Sequence, residues 1–412
     1  MMTVVLGEVA DRPVFSSGVG VCDRVRAVFS RQFRSAGMQR LVLAVIATMA
    51  LLLAGYLLMR LPSRAPLVLG YISSLSGRFS ALSGAGRDGA VLAVEHVNAG
   101  GGIDGRALRL DMEDDAFDPD TARQAVIHLK ALGAVAIVGP FASAVTRSLV
   151  DTAQEQGMLV VSPTVTSDDF NSQDDLFLRV IPAADSFATA LGSYCGATRA
   201  LKTVSLLADK ANASYSDGVI RSFSRGFLAS GGRDVIVIEY DSRLSPSFQE
   251  LAAKALALRP DGVMLVSSPL DTALMCQRLR ILEPAVPVFS SAWGMSGEMV
   301  QSGGRAVEGI VSVVPFNPDS RDPAYLDFVA AFKERFGKSP DFSSMFNYEA
   351  VMLLVAALDS DAGARGEALK RIILDRKTYR GLQGEYTLNG FGDVSRPLYL
   401  LTVADGRLRL KE

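Results

Sequence analysis

Hydrophobic and polar positions divide this chain into three stretches. Residues 1 to 40 show no clear period. Leu41 to Met59, LVLAVIATMALLLAGYLLM, is apolar throughout and has no charge. From Pro66 onward, short apolar runs alternate with stretches whose apolar residues recur at steps of three and four, and Gly, Pro and Asp-rich connections lie between them. The runs Leu67–Ile72, Leu108–Glu113, Ala134–Val138, Met158–Val161, Thr203–Ala208, Val235–Tyr240 and Gly262–Val266 read as strands. Ala90, Val94 and Val97, then Ala122, Ala125, Leu129 and Leu132, then Val145, Leu149, Thr152 and Gln156 each mark one face of a helix. Alternation of this kind predicts an α/β fold with mostly parallel sheets flanked by helices on both faces. The pattern restarts after Arg179-Val180-Ile181-Pro182, so a second domain is expected near Ala183.

The uncharged run at 41–59 is long enough to span a hydrocarbon core of about 30 Å as one helix. Arg12, Arg24, Arg26, Arg31, Arg34 and Arg40 precede it, which predicts a cytoplasmic N-terminus and an exported body beyond a short linker at 60–65. An uncleaved signal anchor in a bacterial inner membrane, with a single pass, is the expected form. Its rival is a cleaved signal peptide, for which the small-residue site Ser63-Arg64-Ala65 is followed by an unfavourable Pro66. Tyr56 stands where a lipoprotein cysteine would be required. Met38 opens a second candidate start, MQRLVLAV.

Composition adds mainly exclusions. With 412 residues, 49% hydrophobic and 21% charged, the chain has ample core for two or three domains. A formal charge of -2 leaves no electrostatic footprint for nucleic acid. Cys22, Cys195 and Cys276 are widely spaced, so no zinc or redox motif is available; Cys195 and Cys276 read as buried free thiols or as one disulfide. His96 and His128 lie in helical patterns and are expected on helix surfaces, which argues against a metal site or a catalytic triad. No cofactor and no enzymatic activity are expected. The acidic stretch Asp114-Asp115-Ala116-Phe117-Asp118 lacks the spacing of a calcium loop and reads as a solvated turn.

Binding chemistry is expected where Ala134–Val138 passes through Gly139-Pro140 into the helix beginning near Ser143. Free N–H groups at a helix start bear partial positive charge, and a serine hydroxyl beside them makes a seat for a carboxylate. An N-cap is the plainer role for the same serine. The loop Ser162-Pro163-Thr164-Val165-Thr166-Ser167 follows the next strand. In open α/β sheets both loops would face one crevice at the carboxyl ends of the strands.

The run from Ser73 to Leu149, with Ser162-Pro163, Asn212 to Gly218, Glu308-Gly309 and Tyr348-Glu349-Ala350, resembles the type 1 periplasmic solute-binding proteins, in their Leu/Ile/Val-binding-like branch. The resemblance covers about Pro66 to Glu412. It implies two similar lobes joined by three crossovers, with a ligand enclosed between them. Lobe I would comprise 66–182 plus 292–395, and lobe II 183–291 plus 396–412, whose tail reads as a hairpin around Asp405-Gly406. It also implies Ser143 as the carboxylate-binding serine, Val165 offering backbone groups and Thr166 a hydroxyl. Across the cleft it implies Tyr215 as a ligand-facing aromatic, Asp271 as the partner of a ligand ammonium, and Phe79, Leu82 and Trp293 as pocket walls. Asn212 replaces the family's aspartate, and Asp271 is one methylene shorter than the usual glutamate. Plainer roles exist for Tyr215 (interlobe packing), Asp271 (a helix N-terminal charge) and Trp293 (hinge packing).

The function so implied is an extracytoplasmic receptor for a small amino-acid-like, amide or carboxylate ligand, delivering it to an inner-membrane ABC permease. The alternative is a tethered sensing ectodomain acting on a membrane partner, which would suit a fixed anchor.

Overall fold

The computed structural model describes residues 36–59 and 65–411, and the chain divides into two compact units, Met1–Ser63 and Arg64–Glu412. In the first unit Ala36–Met59 is a helix of 24 residues. Its side chains are described over 40–53, and there Leu43, Met49, Leu51 and Leu52 are all exposed. Among the described residues no helix is long and apolar enough to cross a membrane. Of the span expected over 41–59, the side chains of 54–59 lie outside the described residues. The basic segment 1–35 and most of the linker also lie outside them.

In the second unit, β1 (Leu67–Ser73), β2 (Leu108–Asp114), β3 (Ile137–Val138), β4 (Val160–Ser162) and β5 (Phe177–Arg179) form a parallel sheet in the order β2-β1-β3-β4-β5. β1 and β2 run one residue beyond the expected strands, β3 and β4 begin later than expected, and β5 is a strand the sequence pattern does not predict. Ala134 to Val138 is buried as anticipated, but only Ile137 and Val138 pair on both sides. The helix Ser143–Glu155 packs Val145 and Leu149 into the core with Val126 and Leu129 of the helix Pro119–Ala131.

After β5 the chain crosses to a second sheet. Its parallel strands are β6 (Thr203–Asp209), β7 (Asp234–Tyr240), β8 (Gly262–Val266), β9 (Val288–Ser290) and β10 (Val311–Val314). It then returns to the first lobe. There the helix Phe342–Leu358 lies so close to the helix Ser80–Ala99 that a Cβ on Gly89 would stand 2.0 Å from the Ser344 carbonyl oxygen. A small antiparallel sheet follows, made of β11 (Thr378–Gly381), β12 (Gly384–Leu388) and β13 (Val394–Ser395). The last crossing delivers β14 (Tyr399–Ala404) and β15 (Arg407–Leu410) to the edge of the second sheet, in the order β15-β14-β10-β9-β8-β6-β7. Their hairpin turns at Asp405 and Gly406, both with positive φ, as the Asp-Gly pair predicts.

One boundary differs from expectation. The resemblance implies a return to the first lobe at Ala292, yet β10 pairs with β9 and β14 in the second sheet, so the middle crossing comes after Val314. All four residues of β10, three valines and Ser312, are buried, and a buried run of that kind suits a central strand in either sheet.

Cys195 and Cys276 are free and buried, and burial pushes the Cys276 thiol up to about 12. His96 and His128 are exposed on their helices, beside Tyr348 and Glu113 respectively. The acidic turn caps and closes backbone: Asp118 accepts the Thr121 N–H at 2.8 Å, and Asp114 accepts those of Leu75 and Ala116.

Candidate functional site

Both parallel sheets reverse their strand order once, between β1 and β3 in the first and between β6 and β8 in the second. Loops leaving the carboxyl ends of strands at such a point splay apart and leave a crevice. Here the two crevices face each other, and the loops after β1, β3, β6 and β8 meet across one cleft.

The loop after β3 begins with Gly139 at φ +133, where a Cβ would lie 2.1 Å from the Ile72 carbonyl oxygen. This close approach to β1 brings the following helix start into the cleft. Ala142, extended and without a capping side chain, holds the N-cap position, so Ser143 is the first helical residue and not the cap. Its hydroxyl is therefore left for another partner. Ser143 is buried and lines a pocket with Thr164 and Thr166 from the loop after β4. Two hydroxyls tie these loops together: Thr164 Oγ1 donates to the Phe141 carbonyl at 2.8 Å and Ser162 Oγ to the Pro140 carbonyl at 3.2 Å. Val165 does not line the pocket. Its N–H donates to Ser162 Oγ at 3.0 Å and its side chain is buried in the first-lobe core, so the backbone donor expected there is already engaged.

From the second lobe, Asn212 and Tyr215 reach the same pocket at the start of the helix Ala213–Ala229. Asn212 occupies the N-cap position of its own helix but makes no cap there. Instead its Oδ1 accepts the Ala144 N–H of the facing helix at 3.0 Å. Tyr215 packs edge-on against Trp293, with ring centroids 5.7 Å apart. Burial pushes its phenol up to about 12, with Ser291 and the Trp293 backbone offsetting part of the effect. Neither neighbour reaches hydrogen-bond geometry, and the Tyr215 hydroxyl has no partner among the described residues. The free space in the pocket is small, about 50 Å³, so a solute enters only as the cleft widens. Phe117, Phe141, Phe187, Phe316, Phe342 and Phe346 supply much of its wall.

Asp271 stands elsewhere. It lies in the first turn of the helix Pro269–Leu282, buried, and Arg78 from the loop after β1 reaches its Oδ1 at 2.6 Å. The second arm of Arg78 donates to the Ser242 carbonyl at 2.5 Å. Burial raises the Asp271 carboxyl to about 6, against the pull of Arg78. Asp271 does not line the pocket, so the ammonium partner expected there is taken by an arginine of the opposite lobe. Phe79 and Leu82 line a smaller cavity next to Arg78, and Trp293 lines both cavities. The structure thus brings Ser143, Thr166, Tyr215 and Trp293 together and leaves Val165 and Asp271 outside. Sequence reasoning missed the phenylalanine wall, the bridging role of Asn212 and the Arg78 contact.

Residues 66–407 match the family model described as periplasmic binding protein. The chain belongs to the periplasmic binding protein family. Among curated relatives, Leu/Ile/Val-binding protein homolog 1 of Brucella abortus is 24% identical over 326 residues, covering 76% of this chain and 83% of the relative. The leucine-, isoleucine-, valine-, threonine-, and alanine-binding protein of Pseudomonas aeruginosa is 26% identical over 317 residues, with 75% and 82% covered. The branched-chain amino acid transporter substrate binding protein LivJ from Streptococcus pneumoniae, in complex with isoleucine, superposes with TM-score 0.77 at 20% identity, covering 84% of this chain and 99% of that one. A solute binding protein from R. palustris in complex with benzoate gives TM-score 0.74 at 21% identity, with 84% and 95% covered. At these identities the structural likeness establishes a shared two-lobed α/β fold.

Proposed function

We propose that this chain is the extracytoplasmic receptor of an ABC-type uptake system, capturing a small carboxylate-bearing solute between its lobes. The observation that carries the reading is the pocket between the two sets of switch-point loops. One side has a helix start with Ser143 and Thr166, the other has Asn212 and Tyr215, and the rest is apolar wall. Closing such a cleft on a ligand excludes water and strengthens each polar contact with it, so binding energy favours the closed form. The match over 66–407 supports the receptor class, and the curated relatives bear the names of amino-acid-binding proteins. Ser143, Thr166, Tyr215 and Trp293 are the proposed ligand contacts. The partner that takes the solute onward is an inner-membrane permease.

The apolar segment 41–59 is proposed as a single-pass anchor with its N-terminus in the cytoplasm. Large exposed apolar side chains at Leu41, Leu43, Ile46, Met49, Leu51 and Leu52 support it, since leaving such area in water costs about 25 cal/mol per Å². Such a tether restricts the receptor to permeases in the same membrane.

Thermal shift of the full chain against a panel of amino acids and small carboxylates tests the receptor reading. A cognate solute at a hundred times its Kd adds about 2.7 kcal/mol of stability. A panel without any stabilising member argues against the reading. Membrane fractionation tests the tether, which a soluble mature protein lacking 1–65 would refute.

A further inference from the structure

The pocket has donors for an anion and no carboxylate for a cation. None of its lining residues is charged. At the anion end the first turn of the helix Ser143–Glu155 presents its partial positive charge, and the Ser143 hydroxyl, on a residue only 4% exposed, lines the pocket. Tyr215, 3% exposed, adds a hydroxyl without a partner among the described residues. Asn212 adds a third donor. Its Oδ1 must be the atom that accepts the Ala144 N–H, so its Nδ2, which can only donate, is left for another group.

An α-ammonium entering the same pocket would need a carboxylate, because an unpaired buried charge is strongly disfavoured. The buried carboxylates of Asp271, Asp209 and Asp115 do not line the pocket. Each spends one oxygen on protein donors: Asp271 Oδ1 on Arg78, Asp209 Oδ1 on the N–H groups of Ala211 and Ser242, and Asp115 Oδ1 on the Ser74 hydroxyl and the Phe117 N–H. Their Oδ2 atoms have no partner among the described residues but are buried in residues that form no part of the wall. Beyond the donors the walls are mainly aromatic and aliphatic.

We infer that the ligand is an apolar monocarboxylate, aryl or branched alkyl, that lacks the α-ammonium of an amino acid. The inference rests on the proposed receptor reading and narrows its ligand class.

Calorimetric titration of the full chain with two matched pairs tests it. The pairs are 3-phenylpropanoate against phenylalanine and 4-methylpentanoate against leucine. Each pair shares a carboxylate and a hydrocarbon frame and differs only in the α-ammonium. The expected result is that the desamino acid binds at least ten-fold tighter in one pair or both, and that neither amino acid binds more tightly than its partner. An amino acid that binds as tightly as its partner in both pairs, or more tightly in either, overturns the inference and leaves the receptor reading standing. Absence of binding by all four compounds and by benzoate at millimolar concentration overturns the receptor reading, and the inference with it. In Asn212→Asp, which puts a carboxylate on the wall, the desamino preference should shrink at least ten-fold. An unchanged preference in that variant counts against the charge argument.

Discussion

Arg78 on the first lobe and Asp271 on the second meet at 2.6 Å, and the other arm of Arg78 rests on the Ser242 carbonyl of the second lobe. The pair spans the cleft beside the pocket with one member fully buried and the other about one-third exposed. Removing the cation strands a buried carboxylate, which costs more than losing both charges. Arg78→Met is therefore expected to lower the unfolding free energy by about 3 kcal/mol. Arg78→Met/Asp271→Asn should recover much of that loss, as urea denaturation of the single and double variants would show.

The same carboxyl gives a pH dependence with a definite sign. Its pKa in the folded protein, about 6, lies above its ordinary value of 3.8. The folded state thus binds more protons between those values, and this contribution to stability is present at low pH and lost as pH rises through 6. Relative to wild type, Asp271→Asn should gain about 2 kcal/mol on going from pH 4.5 to pH 7.5. Chemical denaturation at the two pH values measures it. A relative stability that does not change with pH would show that Asp271 keeps an ordinary pKa.

Ser143 and Thr166 are proposed to contact the carboxylate without supporting the fold. Since Ala142 holds the cap position, Ser143→Ala should leave the melting temperature of the ligand-free protein nearly unchanged. Binding should weaken about ten-fold, the worth of one hydrogen bond to a charged group. Thr166→Ala is expected to act similarly in the same titration. Loss of stability with binding intact would return Ser143 to a purely structural role.

A second buried pair braces the last crossing between the lobes. Arg396 pairs with Glu349 Oε2, and its guanidinium carbon lies 4.2 Å from the centre of the Tyr386 ring and 4.9 Å from that of Phe346. Glu349 Oε1 also accepts the Leu382 N–H at 2.6 Å. Glu349→Ala breaks both contacts and leaves the arginine buried without its anion, so a loss of about 3–5 kcal/mol is expected by calorimetric melting.

The periodic elements were readable because burial imposes period two or 3.6 on any chain that folds this way. Gly262–Val266 is legible to the residue, and the helix start at Ser143 is legible because a Gly-Pro break precedes an amphipathic helix. Contacts made by single residues across the cleft were not readable. Arg78 sits in a loop of small residues with no period, and nothing local says that it reaches Asp271. Asn212 stands where the resemblance implies an aspartate, yet its partner Ala144 lies 68 positions away in the other lobe. Phe117, Phe187, Phe316 and Phe342 come from separate segments and converge only through the crossings. The middle crossing is not legible because β10, three valines and a serine all buried, fits either sheet.

Amide hydrogen exchange on the full chain, with and without the tightest-binding carboxylate, tests the seating of the ligand between the lobes most directly. Peptides covering 139–150 and 210–217 should exchange more slowly in the bound state, with Ala144 and its neighbours among the most protected amides. Protection confined to other parts of the chain, with these two segments unchanged, would contradict a ligand held at the start of the helix Ser143–Glu155.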